Sequence, residues 1–206
     1  PNLVKQGFQG EIICTEPTAF LLDKLWIDSV NIQNNNFNRR KTARLYGFKE
    51  VKEANEQLLT VNFNQKFTLN SEVSCTFHEA GHIIGAASIR LEVTEGNSIQ
   101  TIGFTGDLGK RGSKLIVDPE PIQGLNYLIT ETTYGNRQHK EKRSPEDVLI
   151  EYVTKTCVDQ EGRLIIPAFS VGRTQAILFT LKKLFNTGIL PPIRVFADSP
   201  LALASS

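Results

Sequence analysis

Three side chains that can take part in metal or acid–base chemistry each follow a strand-like segment. His82, Asp107 and Glu131 come shortly after segments that read EVSCTFHE, IQTIGF and LNYLIT. Loops at the ends of strands meet in one crevice in open α/β folds, so we expect the three side chains to lie together. Neutral histidine is the commonest metal ligand, and zinc also accepts aspartate oxygens. The pattern therefore indicates a candidate metal site.

Each of these residues alone also fits a structural interpretation. A single histidine beside a glycine, such as His82 beside Gly81, is more often structural than a ligand. An aspartate that follows a glycine, such as Asp107 after Gly106, usually forms a turn or caps a helix. Their order along the chain and their sequence surroundings favour the metal interpretation.

Several runs of the sequence resemble the motifs of one nuclease family. FHEAGHIIGAA (residues 77–87) and TGD (105–107) resemble the third and fourth metal-binding motifs of metallo-β-lactamase-fold nucleases. ETTYG (131–135) resembles the first motif of the β-CASP subfamily, and the similarity continues through IIPAFSVGRTQ (165–175) and DSPLA (198–202). On these motifs the chain is identified as a member of the family that includes the endonuclease of messenger-RNA 3′-end processing and its bacterial and archaeal relatives.

The resemblance implies an α/β fold in two parts. Residues 1–135 would form part of a metallo-β-lactamase αββα sandwich, and residues 136–206 the first half of a β-CASP domain. In the second part, alternation of apolar and helical patterns predicts helices at 145–160 and 173–185. It also predicts buried parallel strands at RLIIP (163–167) and IRVFAD (193–198).

A helix and an asparagine-rich loop are predicted near the beginning of the chain. Thr15 is expected to cap a helix over residues 19–33, with Pro17 in its first turn. The asparagine-rich tract at residues 31–41 is predicted to be an exposed loop. Its basic cluster, with Arg44, fits either a solvated face or a phosphate contact.

The resemblance also implies roles for the three site residues and two zinc ions as cofactor. His82 would bind one zinc ion, Asp107 would bridge both, and Glu131 would orient a catalytic histidine. The His-x-His-x-Asp-His run of the family is absent, since histidine occurs only at positions 78, 82 and 139. In relatives that run is expected just before a segment like residues 1–8. We therefore expect a fragment that neither holds two zinc ions nor cleaves RNA alone.

A second candidate site is the turn before the helix at residue 173. Ser170, Gly172 and Arg173 lie where a strand-like segment leads into that helix, so amide groups and the helix dipole would favour a phosphate. Ser199 is expected in the same groove. The alternative is a tight turn in which Ser170 or Thr174 caps the helix.

The expected activity of the intact protein is hydrolysis of phosphodiester bonds in single-stranded RNA, as an endonuclease, an exonuclease or both. The net charge of +1 neither favours nor excludes nucleic acid. No run of about twenty apolar residues predicts a membrane span, so a cytoplasmic protein is expected. A non-catalytic RNA-binding scaffold, and a hydrolase of DNA or of a small ester, remain as alternatives. A homo-oligomer and a processing-complex subunit are both left open.

Overall fold

A computed structural model describes residues 1–137 and 143–205 of the chain. It divides into two compact units, Pro1–Glu131 and Thr132–Ser206.

The first unit has a long helix whose two ends are both fixed by specific contacts. Its helices are α1 (Asn2–Lys5), α2 (Glu16–Arg40) and α3 (Phe48–Glu56). As predicted, the Thr15 hydroxyl caps α2 by accepting a hydrogen bond from the Thr18 amide, and Pro17 lies in the first turn. Lys41 ends the helix in the left-handed conformation, with φ of 57°.

The loop predicted at residues 31–41 is wrong, because α2 continues to Arg40. Asparagine is a poor helix former by itself. In α2, however, two side chains accept hydrogen bonds from the segment that follows the helix. Gln33 accepts a hydrogen bond from the Leu45 amide (2.7 Å), and Asn34 accepts one from the Arg44 guanidinium (3.1 Å). These tertiary contacts outweigh the weak local preference.

The first unit contains two sheets. Strands β1 (Ile12–Cys14) and β2 (Leu58–Thr60) form a parallel pair. The larger sheet has the order β3-β4-β5-β6-β7, and the bounds of its strands are Phe67–Thr68, Val73–Glu79, Ala87–Glu95, Ser98–Phe104 and Tyr127–Ile129. Its inward side chains include Cys75 and Phe77, both buried.

The direction of the strands brings three loops to one edge of the larger sheet. Strands β4 and β6 both pair antiparallel with β5, so they run in the same direction as each other. Strand β7 pairs parallel with β6. The carboxyl ends of β4, β6 and β7 therefore lie at the same edge, and His82, Asp107 and Glu131 follow those ends.

The second unit is built from helices over its described residues. They are α4 (Pro145–Val153), a π-helical turn (Thr154–Asp159), α5 (Arg173–Asn186) and α6 (Pro200–Ala204). Val153, Leu181, Leu184 and Leu190 form its buried core. The π-helical turn replaces the last part of the helix predicted to reach residue 160.

The two strands predicted in this unit are wrong for the described chain. Residues 163–167 and 193–198 carry no strand, and Ile165 and Phe196 are 84% and 83% exposed. An apolar run of this kind favours a buried strand, but a strand forms only where a neighbour supplies its hydrogen bonds. The described chain provides no such neighbour.

The mixed α/β class that the sequence predicts is confirmed by these helices and sheets. The finer assignment to a sandwich followed by half of a β-CASP domain, split at residue 135, stays a prediction. None of the described helices is long and apolar enough to cross a membrane.

Candidate metal and phosphate sites

His82 and Asp107 approach each other at the edge where β4 and β6 end. The His82 Nε2 atom lies 3.9 Å from the Asp107 Oδ2 atom, with side chains 45% and 74% exposed. The pair is thus open to solvent on one side. An imidazole nitrogen and a carboxylate oxygen this close can act on one small ligand or ion.

The loops that carry this pair are joined by a hydrogen bond between their backbones. The Gly109 amide donates a hydrogen bond to the Ala80 carbonyl (2.8 Å). A Cβ atom on Gly109 would lie 1.6 Å from the Gly81 carbonyl oxygen, closer than any two non-bonded atoms can lie. Gly81 itself has φ of +65°, in the left-handed region that favours glycine. Only glycine at position 109 therefore allows this approach.

The carboxyl end of the His82 loop is hydrogen-bonded to the beginning of α2. The hydroxyls of Thr15 and Thr18 both donate to the Gly85 carbonyl, at 2.8 and 2.9 Å. Thr15 is 2% exposed, so its hydrogen bond is shielded from water. The loop of residues 80–85 is thus held from both sides.

Glu131 contacts the loop of Asp107 directly. Its Oε1 atom accepts a hydrogen bond from the Leu108 amide at 2.7 Å. The Glu131 amide donates to the Thr105 hydroxyl (3.3 Å), and the Thr105 amide donates to the Ile129 carbonyl (3.0 Å). The ends of β6 and β7 are therefore joined on both sides of Asp107.

His78 lies apart from the His82–Asp107 pair in its contacts. Its Nδ1 atom is 3.8 Å from a carboxylate oxygen of Glu120, and its buried Nε2 atom has no hydrogen-bond partner among the described residues. The backbone of Glu120 donates to the Glu79 carbonyl (2.8 Å). Burial raises the pKa of Glu79, and the charge of Glu120 raises it further. These contacts of His78, Glu79 and Glu120 join β4 to the segment around residue 120, in keeping with a structural role for His78.

The His82–Asp107 pair fits two positions of a zinc site. Nitrogen and oxygen ligands of one tetrahedral zinc ion lie roughly 3.4 Å apart, so small rotations of these exposed side chains would bring 3.9 Å into range. Zinc sites use at least three protein ligands. Within residues 1–137 and 143–205, no group of three or more His, Cys, Asp or Glu side chains is placed to hold a metal. The pair is therefore an incomplete set of donors.

The predicted phosphate residues of the second unit also come together. The Ser170 and Ser199 hydroxyl oxygens lie 3.0 Å apart. Ser199 also caps α6, because its hydroxyl accepts a hydrogen bond from the Ala202 amide. Gly172, with φ of +85°, and Arg173 begin α5 as predicted.

The alternative interpretation of this turn is partly correct. The Gly172 amide donates to Gln175 Oε1 (2.7 Å), so Gln175 supplies the cap rather than Ser170 or Thr174. The Thr174 amide and hydroxyl both donate to the Phe169 carbonyl, at 3.2 and 2.9 Å. These contacts use amide groups that the phosphate hypothesis needs. His139 lies outside the described residues.

The sequence interpretation missed Gly109 and the amide of Leu108. The signal was present, since Gly106 and Gly109 lie on both sides of Asp107 in the run TGDLG. A second glycine so near a candidate ligand indicates a close approach of two backbone segments. What it approaches could not be read from the sequence.

Comparison with known proteins gives relatives along nearly the whole chain. An RNase J-like protein of Methanocaldococcus jannaschii is 30% identical over 95% of the chain and 44% of its own length. Ribonuclease TTHA0252 of Thermus thermophilus is 30% identical over 98% of the chain and 43% of its own length. The transcription termination factor FttA of Methanothermobacter thermautotrophicus is 27% identical over 96% of the chain and 30% of its own length. No protein-family model matches the chain.

These similarities confirm the family resemblance indicated by the motifs. The chain is related to the metallo-β-lactamase-fold β-CASP nucleases that act on RNA. It spans between 30% and 44% of the length of these curated relatives. Their names describe ribonucleases and a transcription termination factor.

Proposed function

We propose that this chain is part of a zinc-dependent enzyme that hydrolyses phosphodiester bonds in single-stranded RNA. The observation that carries the proposal is the approach of His82 Nε2 to Asp107 Oδ2, on two loops joined by the Gly109–Ala80 hydrogen bond. Two fixed loops that present an imidazole nitrogen and a carboxylate to solvent are suited to one metal ion. The names of the relatives support RNA as the substrate.

In this proposal His82 and Asp107 would be zinc ligands, with Asp107 also facing a second ion. Zinc supplies Lewis-acid activation of water and of a phosphoryl oxygen. The remaining donors would come from outside the chain described here, which spans under half of its relatives' length. The chain alone would therefore be inactive.

Glu131 has a defined task in this arrangement. Its carboxylate holds the Leu108 amide, and so fixes the backbone beside Asp107. The family resemblance adds a second task, the orientation of a catalytic histidine. The two tasks are compatible, because a carboxylate accepts several hydrogen bonds through two oxygens.

Ser170, Gly172, Arg173 and Ser199 are proposed to contact the RNA backbone. The hydroxyl pair Ser170–Ser199 and the guanidinium of Arg173 are the groups available for this contact. Because the Gly172 and Thr174 amides are used within the chain, hydroxyl and guanidinium groups would carry more of this contact than the helix amides. A cytoplasmic location, and assembly into an oligomer or a processing complex, belong to the same proposal.

The proposal is tested with a labelled single-stranded RNA and the matching DNA, each incubated with the intact protein and zinc. Cleavage of RNA alone, abolished by a chelator and restored by zinc, is the expected result. Equal cleavage of the RNA and the DNA, or cleavage of the DNA only, would contradict RNA as the substrate. Tight RNA binding with no cleavage at any zinc concentration would favour the scaffold alternative.

A further inference from the structure

The carboxyl end of α2 concentrates positive charge on one exposed surface. From Ser29 to Lys49 inclusive, the sequence contains five basic residues and no Asp or Glu. Four of these, together with Lys5 of α1, surround the end of the helix. We call this set the α2 basic surface, and its members are Lys5, Arg39, Arg40, Lys41 and Arg44, all exposed.

These charges form no direct ion pair within the described chain, although Lys5 is close enough to the Glu50 carboxylate to help lower its pKa, after the larger effect of the hydrogen bond from the Gly47 amide. No ion pair joins any member of the α2 basic surface to a carboxylate among the described residues. The neighbouring lysines of α3 differ, since Lys49 and Lys52 pair with Glu53 and Glu56 at 3.6 and 3.9 Å. Cations at a helix carboxyl end are favoured by its dipole. That effect accounts for Arg39 and Arg40 in the last turn of α2 and for Lys5 in the last turn of α1, but not for Arg44.

Arg44 is held in a fixed orientation. Its guanidinium carbon lies 4.7 Å from the centre of the Phe37 ring, and it donates one hydrogen bond to Asn34 Oδ1 (3.1 Å). The Lys41 ammonium lies 5.7 Å from the same ring. A guanidinium fixed by stacking presents its remaining N–H groups as a planar fork, the geometry that matches a phosphate.

A shallow cleft lies beside this guanidinium. It has a volume of about 420 Å³, and its lining includes Lys5, Phe37, Arg44 and Tyr46. Lys5 closes one side by donating to the Leu45 carbonyl (2.9 Å), which ties α1 to the loop after α2. The Tyr46 hydroxyl donates to the Ser29 hydroxyl (2.8 Å) and fixes the other side. The cleft is therefore built by specific contacts.

We propose that the α2 basic surface binds the phosphate backbone of single-stranded RNA, as a second contact separate from the candidate metal site. The proposal rests on the proposed function for the identity of the polyanion. The 25 residues of α2 run from the His82 loop, held at Thr15 and Thr18, to this surface. The helix is about 37 Å long, a distance that on the order of ten stacked nucleotides would span. The surface thus holds RNA away from the bond to be cleaved.

The test compares two double variants of equal charge change. Arg40→Gln/Arg44→Gln removes two charges of the surface, and Lys49→Gln/Lys52→Gln removes two paired charges of α3. Binding of fluorescein-labelled oligouridine of about 20 nucleotides is measured by anisotropy over a range of salt concentrations, with chelator present. We expect about tenfold weaker binding and a salt slope smaller by about 1.4 for the first variant, and little change for the second.

Each alternative result is informative. Unchanged affinity and slope in Arg40→Gln/Arg44→Gln, with the same unfolding midpoint as the wild type, would overturn the proposal. Displacement of the RNA by polyglutamate at equal charge concentration would also overturn it, because the surface would then bind any acidic chain. Because the chelator prevents metal-dependent cleavage, the binding measurement gives its answer whether or not the zinc hydrolase proposal holds.

Discussion

The Glu131 carboxylate accepts a hydrogen bond from the Leu108 amide at 2.7 Å, so the end of β7 fixes the residue directly after Asp107. This contact makes Glu131 a positioning residue for the loop of a candidate ligand. A glutamine in its place keeps an oxygen acceptor, whereas an alanine leaves the amide without one.

We therefore expect Glu131→Ala and Glu131→Gln to differ. Hydrogen exchange at the Leu108 amide should be slow in the wild type, nearly as slow in Glu131→Gln, and faster by tenfold or more in Glu131→Ala, as a lost hydrogen bond of about 1.5 kcal/mol implies. Zinc affinity of the intact protein should fall by about 10-fold or more only in Glu131→Ala. Equal exchange in both variants would contradict the positioning role. Loss of cleavage in Glu131→Gln with normal exchange would instead indicate the orientation of a catalytic histidine, the role implied by the family resemblance.

Asp107→Ala should abolish RNA cleavage by the intact protein without unfolding it. The Asp107 side chain is 74% exposed, so removing it takes little packing away and should change the free energy of unfolding by no more than about 0.5 kcal/mol. Glu95→Ala, which removes an exposed carboxylate at the end of β5, is the matched control and should keep full activity. Thermal unfolding and RNA cleavage are measured on both. Retained cleavage in Asp107→Ala would remove Asp107 from the site.

The sequence predicted the parts of this site that depend on local rules. Thr15 as a helix cap follows from the preference of its hydroxyl for that position. The convergence of His82 and Asp107 follows from strand ends that meet at one edge of a sheet. Both are short-range or topological rules that a single sequence carries.

The parts that the sequence did not predict depend on what a segment contacts in three dimensions. Helix α2 continues through its asparagines because Gln33 and Asn34 bond to residues 44 and 45. The segments around Ile165 and Phe196 have the composition of buried strands, yet both side chains are exposed. Composition reports which side chains favour burial, but not whether a partner strand is present to receive them.

Glu92→Gln should show a stability change that depends on pH. Hydrogen bonds from Lys66 and then Arg90 lower the pKa of Glu92 below its ordinary value of 4.5. A lowered pKa means that the folded protein gains stability from the carboxylate above pH 4.5 and loses it as the pH falls through the folded-state value.

The variant should therefore be less stable than the wild type at pH 7 by about 0.5–1 kcal/mol, and the difference should shrink in acid. Urea unfolding at several pH values measures this. Glu53→Gln, in the exposed pair with Lys49, is the control and should give a smaller difference at every pH. A constant difference for Glu92→Gln between neutral and acidic pH would contradict the ion-pair explanation.

Gly109→Ala should disturb the candidate metal site although position 109 carries no candidate ligand. The added Cβ atom would lie 1.6 Å from the Gly81 carbonyl oxygen and 2.7 Å from the His82 amide nitrogen, so the two loops must separate. Separation would break the Gly109–Ala80 hydrogen bond and move His82 away from Asp107. We expect a loss of about 1–3 kcal/mol in stability, and a larger relative loss of zinc affinity and RNA cleavage.

Gly47→Ala is the matched control, because its Cβ atom would meet only Glu50 Oε2 at an ordinary 3.5 Å. Calorimetric zinc titration and thermal unfolding of both variants give the two readouts. Normal zinc affinity in a folded Gly109→Ala protein would show that the backbone contact does not position His82.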